Sequence, residues 1–264
     1  MRRLQLIEIE DQKWCPVSIR DGITDYLRWF EHFWKMYQPI IPKLRRVLEK
    51  LQTERVVDLC SGAGGPWLHL YREFDSQNGD SPVVYLTDLY PNYSASQALR
   101  GIKPGKLVFC SESVSATKVP KYLTGFRTMF SAFHHFPPDT AKSILDDAVR
   151  SNQGIAIFEI SQRHPLVIIP MCFSFFMVVL STPFVRPFRW RRLFWTYVVP
   201  AIPLAFMFDT IVSCLRTYSP EELRALTAEV PGAEGYLWEV GVKSKNNSSA
   251  GVTYLIGYPT PRAE

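Results

Sequence analysis

The sequence lacks the cysteine patterns that bind metals or staple small secreted domains. Its five cysteines are scattered over 264 residues, and no two of them stand at metal-ligand spacing. An odd, scattered set also does not suggest a disulfide framework, which favours a reducing cytoplasm as the compartment. The first residues, MRRLQLIEIEDQKW, contain no long apolar core, so we do not expect a cleaved signal peptide. We therefore expect a cytoplasmic chain without a metal site.

A strong excess of charge of one sign is absent as well. The formal net charge is +5, and 21% of the residues are charged while 47% are hydrophobic. This charge is too small to indicate nucleic-acid binding, and the hydrophobic fraction is ordinary for a globular protein that buries a core. The length suits one large domain or one domain with an insertion.

Short apolar runs alternate with helical stretches along the chain. Residues 21–51 are predicted to be helical, with a break at Pro39 and Pro42. Seven apolar runs predict strands, and the last two flank the turn-rich stretch KSKNNSSAG, as in a hairpin. This order predicts an α/β fold with a doubly wound, mostly parallel seven-stranded sheet and an antiparallel C-terminal hairpin. The runs are RVVDLC, PVVYLTDL, KLVFCS, FRTMFSAF, GIAIFEI, GYLWEVGV and VTYLIGYP.

Two common phosphate-binding motifs are missing after the first predicted strand. The stretch VVDLCSGAGGPW contains Gly62 and Gly64, but the third glycine of the dinucleotide fingerprint is replaced by Trp67. No Gly-Lys-Ser/Thr follows, which excludes a P-loop. Ligands of doubly wound sheets bind at the carboxyl ends of strands, and Asp88, at the end of the second strand, offers a carboxylate for both hydroxyls of a ribose. A nucleoside ligand without a pyrophosphate therefore fits this loop better than a tight turn with no ligand.

These motifs together resemble those of the class I S-adenosylmethionine-dependent methyltransferases, in the branch that modifies small molecules. VVDLCSGAGG is similar to their first motif, YLTDLYPN to their second, and FRTMFSAFHHFPP to their fourth-strand segment, in which a His-His pair often precedes a helix. The resemblance covers roughly residues 50–160. It implies a Rossmann-like fold, S-adenosylmethionine as the cofactor and methyl transfer as the activity.

The resemblance also implies where the cofactor would bind. The loop after the first strand would hold its methionine part, and the acid that ends the second strand would bind its ribose. The segment after the third strand would edge the adenine, and the end of the fourth strand would lie near the sulfonium. In this order, the implied residues are Asp58, Gly62 and Gly64, then Asp88 and Leu89, then Ser115 and Ala116, then Ser131 and Phe133.

Two positions depart from the pattern of the family. Cys60 stands where the first glycine of the loop motif is usual. Ser115 precedes Ala116 where the family often has an acid, and Glu112 is the nearby acid that could compensate. The departures concern the loop and the adenine edge, and they leave Asp88 in place.

A base is the remaining requirement for some acceptors. Transfer from a sulfonium is largely a matter of positioning and desolvation, but a hydroxyl or carboxyl acceptor needs a group that takes its proton. His134, His135 and Glu159 stand at or just after strand ends and are the candidate catalytic residues. The alternatives are structural: a histidine that caps the next helix or bonds the backbone, and a Glu159 that anchors Arg163.

Charge is missing from two long runs after the fifth predicted strand. Residues 165–185 and 193–208 contain no charged side chain, and the basic stretch RPFRWRR lies between them. The first run is long enough to span a bilayer, but a two-helix hairpin would carry the arginines across the membrane against the positive-inside rule, and prolines interrupt both runs. A shallow hairpin in the membrane interface avoids both problems, with the arginines near anionic headgroups. These arginines are Arg186, Arg189, Arg191 and Arg192.

The alternative for this insertion is a lid over the active site or a contact with a second subunit of a homo-oligomer. Each interpretation favours a small, apolar or lipid-like acceptor, because substrate-covering elements commonly occupy this position of the fold. We expect residues 1–52 to be an N-terminal helical lid segment, residues 53–164 and 210–264 the methyltransferase core, and residues 165–209 a hydrophobic helical insertion. The protein would act in the cytoplasm, peripheral to the inner face of a membrane.

Two other functions remain as alternatives. Methylation of nucleic-acid bases is disfavoured, because FPPD lacks the polar residue before the prolines and the aromatic residue after them. A non-catalytic, membrane-associated binding or scaffold protein that retains the fold is disfavoured by the intact Gly62, Gly64 and Asp88. Binding of the cofactor separates the enzyme from the scaffold, since a scaffold need not bind it.

Overall fold

One sheet organises the part of the chain that the structure describes. The structure is a computed structural model, and it describes residues 1–62, 64–75, 81–91, 105–186, 188–244 and 251–260. Its strands are β1 Arg55–Leu59, β2 Val83–Asp88, β3 Leu107–Ser113, β4 Phe126–Phe130, β5 Ile155–Glu159, β6 Tyr236–Lys243 and β7 Val252–Pro259. They pair in the order β3-β2-β1-β4-β5-β7-β6. The first five strands are parallel, and β7 runs antiparallel to both β5 and β6. The expected fold class and C-terminal hairpin are confirmed, while the expected turn at 245–250 lies outside the described residues.

The strand order reverses between β1 and β4, which are neighbours in the middle of the sheet. Asp58 of β1 pairs with Leu86 of β2 on one side and with Thr128 of β4 on the other. Every residue of β4 and β5 is buried, as expected for parallel strands that are covered on both faces. Because these strands are parallel, their carboxyl ends meet at one edge of the sheet. The reversal point at that edge is where doubly wound sheets bind ligands.

The helices lie where the apolar periodicity predicts them. They are α1 Val17–Phe33, α2 Ile41–Lys50, α3 Trp67–Asp75, α4 Pro138–Arg150, α5 Pro165–Met171, α6 Ser174–Ser181, α7 Trp190–Leu193, α8 Ala201–Arg216 and α9 Pro220–Ala228. Pro39 lies in a short 3-10 turn and Pro42 in the first turn of α2, so the expected break between two helices is present. α9 begins with a capping box, in which Ser219 and Glu222 each accept the backbone N–H of the other.

The chain divides into two compact units. The sheet unit, residues 37–160 and 219–264, contains all seven strands together with α2, α3, α4 and α9. The helical unit, residues 1–36 and 161–218, contains α1 and α5 to α8. The insertion expected at 165–209 thus falls within a unit that also includes the first residues of the chain. The lid role expected for residues 1–52 stays a prediction.

A small apolar core holds the helical unit together. Tyr26 of α1 packs edge-on against Phe206 of α8, with ring centroids 6.1 Å apart, and its hydroxyl is hydrogen-bonded to Thr182. Gly22 permits the close approach of α1 and α8, because a Cβ atom at this position would clash with Ile202. The core consists of Cys15, Ile19, Ile23, Tyr26, Val178, Val185, Ile202, Ala205 and Phe206.

Large apolar side chains also remain on the outside of the helical unit. Large apolar residues of α5 to α7, of the turns between them and of the π-helical turn Phe194–Val198 after α7 are exposed by between 47% and 77% of their surface. No described helix is long and apolar enough to cross a bilayer by itself, and the required length is reached only by two helix pairs bent by 48° and 81°. The exposed side chains are Leu166, Ile169, Phe173, Phe176, Leu180, Phe184, Phe188, Trp190, Phe194, Tyr197 and Val198.

The four arginines of the insertion do not share one free edge, which corrects the sequence-based expectation. Arg192 is only 2% exposed and donates to the Asp25 carboxylate at 2.9 Å and to the Val185 carbonyl at 2.6 Å. Arg189 is half-exposed and contacts the same Asp25 carboxylate at 3.1 Å. The expectation that Arg192 reaches lipid phosphates is therefore wrong, because a buried guanidinium needs an acid and hydrogen-bond acceptors around it. Arg186 and Arg191 are exposed.

Candidate active site

Asp58 braces the loop that follows β1. It is 1% exposed, and its carboxylate accepts hydrogen bonds from Thr128 Oγ1 at 2.6 Å and from Ser61 Oγ at 2.7 Å. Its backbone oxygen accepts from the Thr87 hydroxyl at 2.8 Å. Removal from water raises the pKa of Asp58 to about 7. Asp58, which is expected beside the methionine part of a cofactor, thus ties β1 to β4 and to the loop through its side chain and to β2 through its backbone.

Gly62 and Asp88 meet at the carboxyl ends of β1 and β2, next to the reversal point of the sheet. The Gly62 N–H donates to Asp88 Oδ2 and the Tyr90 N–H donates to Oδ1, both at 2.8 Å. Each carboxylate oxygen accepts more than one hydrogen bond, so the half-buried Asp88 retains acceptor capacity for the hydroxyls of a ribose. Gly62 has a φ of +53°, and a Cβ atom there would meet no atom of the described residues within 4 Å. Among those residues, space is therefore left beside the amide and the acid, as a nucleoside ligand requires.

The loop after β1 has a left-handed backbone at Cys60, although this residue is not a glycine. Cys60 has a φ of +57°, in the left-handed region that favours glycine. It occupies the position where the resembling family usually has its first glycine. Gly64 has a φ of +105°, and its N–H donates to the Ser61 carbonyl at 2.8 Å. Burial raises the pKa of the Cys60 thiol, so this thiol is held in its neutral form.

The segment after β3 lies next to Asp88. Ser113, the last residue of β3, pairs with Asp88 in the sheet, and the Val114 N–H donates to the Asp88 carbonyl at 2.9 Å. Ser115 and Ala116, which were expected to edge the adenine, follow directly. Ser113 and Val114 thus contact Asp88, and the expected contact of Ser115 and Ala116 with the adenine stays a prediction.

Two further side chains border this part of the site. Leu89 is 46% exposed and follows Asp88 directly, so an apolar surface is available beside the ribose acid. Glu112 is exposed and accepts a hydrogen bond from the Tyr122 hydroxyl. The acid that could compensate for Ser115 is therefore already engaged with a neighbouring side chain.

Ser131, directly after β4, has a strained backbone. Its φ is +43°, in a region that costs a non-glycine residue about 1–2 kcal/mol. Its hydroxyl is hydrogen-bonded to the Tyr37 hydroxyl at 2.7 Å, and its N–H donates to the Phe158 carbonyl at 2.8 Å. The Tyr37 ring packs edge-on against Phe130, with centroids 5.0 Å apart. Strain held by such contacts clusters at functional sites, which supports a site at the end of β4.

His134 and Glu159 form a buried pair. The Glu159 carboxylate accepts the His134 backbone N–H at 3.1 Å through Oε1 and lies 2.7 Å from His134 Nδ1 through Oε2. The two side chains are 3% and 4% exposed. A carboxylate on Nδ1 selects the tautomer that is protonated there, so the lone pair is on Nε2. The His135 ring lies against the His134 ring, with centroids 4.4 Å apart. Of the two histidines, His134 is the one that the structure orients through an acid.

Phe133, expected near the sulfonium, and Arg163, the alternative partner of Glu159, have other neighbours in the structure. Phe133 is fully buried, so its side chain belongs to the core of the sheet unit. Arg163, the alternative partner for Glu159, donates to the backbone oxygens of Thr217 and Met1 at 2.8 and 2.7 Å. The described contacts of Glu159 thus favour its pairing with His134.

Solved structures share this architecture. The plantazolicin methyltransferase BpumL, solved with SAH, matches with a TM-score of 0.57 and 9% identity over 96% of this chain and 95% of that chain. The O-methyltransferase NcsB1 from neocarzinostatin biosynthesis, solved with S-adenosylmethionine and 2-hydroxy-5-methyl naphthoic acid, matches with a TM-score of 0.52 and 15% identity over 92% of this chain and 59% of that chain. The methyltransferase domain of a bacterial CtHen1 matches with a TM-score of 0.50 and 10% identity over 84% of this chain and 98% of that domain.

The chain has the fold of the class I S-adenosylmethionine-dependent methyltransferases. The fold expected from the sequence resemblance is confirmed. No protein-family model matches the sequence, and no curated protein matches it either. At identities between 9% and 15%, this structural likeness shows a shared fold alone, so the chemistry has to be inferred from the residues of the site.

Tyr37 and Thr128 are the residues of this site that the sequence does not reveal. Tyr37 lies in a stretch where aromatic residues recur at helical spacing, and that pattern does not distinguish a hydroxyl partner of Ser131 from a core aromatic. Ser131 is 94 positions away, and Thr128 is 70 positions away from Asp58. Both contacts depend on the pairing of distant segments, which no local pattern encodes.

Proposed function

We propose that this chain is an enzyme that transfers a methyl group from S-adenosylmethionine to a small apolar or lipid-like acceptor at or near a membrane surface. The observation that carries the proposal is the contact between Gly62 and Asp88 at the carboxyl ends of β1 and β2, next to the reversal point of the sheet. A backbone amide, an acid with spare acceptor capacity and open space beside a glycine suit a nucleoside ligand. The fold shared with methyltransferases of known structure supports the same ligand.

The chain itself has three tasks in this reaction. When bound, S-adenosylmethionine supplies a methyl group on a positively charged sulfur, which is already activated for transfer. The protein then positions the cofactor and the acceptor, excludes water and takes up a proton where the acceptor carries one. Asp88 would hold the ribose, and the loop from Cys60 to Gly64 would hold the methionine part. Ser131, held by Tyr37, would contact the sulfonium end.

His134 is the base in this proposal, and Glu159 is its positioning residue. For a hydroxyl acceptor, the cofactor would supply the methyl group that replaces the hydroxyl proton. That proton would pass to His134 Nε2. Glu159 keeps Nδ1 protonated and stabilises the imidazolium that forms. An acceptor that carries no proton at the reacting atom would not need this pair.

The apolar acceptor and the membrane surface are supported by the helical unit. Residues 165–208 contain no acid, and their exposed aromatic and aliphatic side chains flank the exposed Arg186 and Arg191. Apolar and aromatic side chains with cations nearby are typical of helices that lie in the membrane interface. The bends of 48° and 81° in the two helix pairs suit such shallow placement better than a straight span. An enzyme held there would meet apolar acceptors at the inner face of the membrane.

Label transfer from methyl-tritiated S-adenosylmethionine into solvent-extractable lipid tests the activity. With a lipid extract as the source of acceptor, we expect wild-type protein to transfer label. The variant His134→Ala should lower turnover by roughly 100-fold, the usual contribution of a general base, and leave cofactor affinity nearly unchanged. Glu159→Gln should lose less, because the imidazole remains while its orientation and charge stabilisation weaken.

His135→Ala is the matched control, since His135 neighbours His134 without the described contact to Glu159. It should retain most of the turnover. Equal losses of folding and activity in His134→Ala and His135→Ala would return both histidines to a structural role. Cofactor binding without transfer to any extract fraction would instead favour a non-catalytic scaffold with the same fold.

A further inference from the structure

The helical unit contains an apolar groove whose described lining includes none of the candidate site residues. Its volume is about 460 Å³, within the range of roughly 300–1,000 Å³ that is common for small-ligand sites. It lies between the N-terminal segment with the start of α1, on one side, and α8 on the other. Its lining contains no charged residue and presents only apolar surface. The walls include Ile9, Trp14 and Ile19 on the first side, and Ala201, Leu204 and Phe208 on the second.

Hydrogen bonds outside the groove hold its two walls together. The Asp209 carboxylate on α8 accepts the backbone N–H groups of Ile9 at 2.6 Å and of Glu10 at 3.0 Å. Arg20 of α1 donates to the carbonyls of Glu10 and Gln12 at 2.8 and 2.7 Å. These polar groups of the N-terminal segment are thus paired with α8 and α1 rather than directed into the groove. The groove is formed before any ligand arrives, which lowers the cost of binding.

The lining and the volume together restrict what can bind. An extended peptide would lose water from its N–H and C=O groups without gaining hydrogen bonds, which is costly. A docked helix is about 10–12 Å across, so this volume holds roughly one helical turn. An alkyl chain loses no hydrogen bond on entry, and each methylene that it buries is favourable. The groove therefore suits one aliphatic chain.

The charge near the groove indicates the head of that chain. Lys13 is exposed and directly precedes Trp14, one of the groove residues. The nearest acid in sequence before it, Asp11, is paired with Arg216 at 3.3 Å. A cation that directly neighbours a groove residue in the chain is complementary to a carboxylate at one end of an alkyl chain. We propose that this groove binds a single fatty acid, with its chain between Trp14 and Phe208 and its carboxylate near Lys13.

Calorimetry with free fatty acids tests this site without S-adenosylmethionine, so its outcome is independent of methyl transfer. Delipidated wild-type protein is titrated with octanoate, decanoate and dodecanoate, each below its micelle concentration. We expect one-to-one binding whose affinity rises about fourfold for each added methylene. Leu204→Asp and Phe208→Asp, both at partly exposed groove positions, should each weaken decanoate binding at least about tenfold, since a carboxylate would stand in the apolar wall.

Two comparisons make the test specific. Leu180→Asp, at an exposed apolar position on α6 away from the groove residues, should bind decanoate like the wild type. Lys13→Gln should weaken decanoate by about two- to fivefold, the usual strength of an exposed ion pair, and leave the affinity for 1-decanol unchanged. Circular dichroism of each variant identifies any loss of fold.

Four results would overturn the proposal. The first is that both groove variants fold and bind decanoate as tightly as the wild type does. The second is that the affinity of the wild type does not depend on the length of the fatty acid, and the third is that it binds lysophosphatidylglycerol but not the fatty acid of equal chain length. The fourth is a wild-type dimer that Leu204→Asp dissociates, because the groove would then be covered by a second copy of the chain.

Discussion

At the scale of single residues, Cys60 has a backbone conformation that is unfavourable for any residue other than glycine. Its left-handed backbone, with a φ of +57°, is about 1–2 kcal/mol less favourable for a residue with a Cβ atom than for glycine. Cys60→Gly should therefore be more stable than Cys60→Ala by about 1 kcal/mol, although glycine is usually the less stable of the two residues. Urea unfolding of the two variants measures the difference.

The control for Cys60 is a position with ordinary backbone geometry. Ala148 lies inside α4 and is buried, so Ala148→Gly should be destabilising by about 1 kcal/mol or more. If Cys60→Gly is less stable than Cys60→Ala, the loop does not have the left-handed backbone at this position.

Asp58 predicts a pH dependence of stability. Burial raises its pKa from 3.8 in the unfolded chain to about 7 in the folded one. The folded state therefore keeps a proton that the unfolded chain releases, and the stability linked to this group falls as the pH rises through about 7. Asp58→Asn cannot ionise. Relative to the wild type, it should gain stability from about pH 4 to about pH 7 and change little above that pH, measured by thermal unfolding.

Other buried acids in the chain titrate too, so the comparison needs a matched variant. Asp139→Asn changes an exposed acid at the start of α4 and should follow the wild type over the whole pH range. A constant difference in stability between Asp58→Asn and the wild type at all pH values would mean that Asp58 is not held protonated in the folded state.

At the scale of elements, the helices of the insertion decide how the protein would meet a membrane. Because Arg192 is buried and Arg189 is paired with an acid, apolar insertion should contribute more than charge. The double variant Phe176→Asp with Leu180→Asp changes two exposed residues of α6 and should abolish flotation with both neutral and anionic liposomes. Arg186→Glu with Arg191→Glu should weaken flotation with anionic liposomes only, by about 1 kcal/mol for each charge removed.

Arg192 itself is unsuited to this test. Removing one partner of its buried pair with Asp25 costs about 3–5 kcal/mol, so a change there would unfold the helical unit rather than report on lipid. Leu237→Asp, at an exposed position of β6 in the sheet unit, is the control and should float like the wild type. A wild-type protein that stays monomeric without detergent and ignores both vesicle types would contradict membrane contact, and a substrate lid would be the better interpretation.

At the scale of the whole molecule, the sheet could be predicted from the sequence because its physics is local. Parallel strands that are buried on both faces appear as short apolar runs. Asp88 is the acid at the end of one such run, and it lies next to the point where the strand order reverses. Chain order then places the loop of Gly62 beside it.

The parts that could not be predicted depend on partners far away in the chain. The pair of Asp25 and Arg192 is separated by 167 positions, and a run of arginines between apolar segments looks the same whether one member is buried or all are free. The choice of His134 over His135 as the proposed base rests on which of the two rings meets the Glu159 carboxylate. Both outcomes are set by tertiary packing, which composition and spacing do not encode.

Calorimetric titration with S-adenosylmethionine tests the central claim most directly. We predict that wild-type protein binds it and that Asp88→Ala weakens binding at least about tenfold, since each lost hydrogen bond to a charged group is worth about 1.5–3 kcal/mol. Glu234→Ala, which removes an exposed acid elsewhere in the sheet unit, should bind like the wild type. Absence of binding to the wild type, or unchanged affinity in a folded Asp88→Ala variant, would contradict the assignment of this site to S-adenosylmethionine.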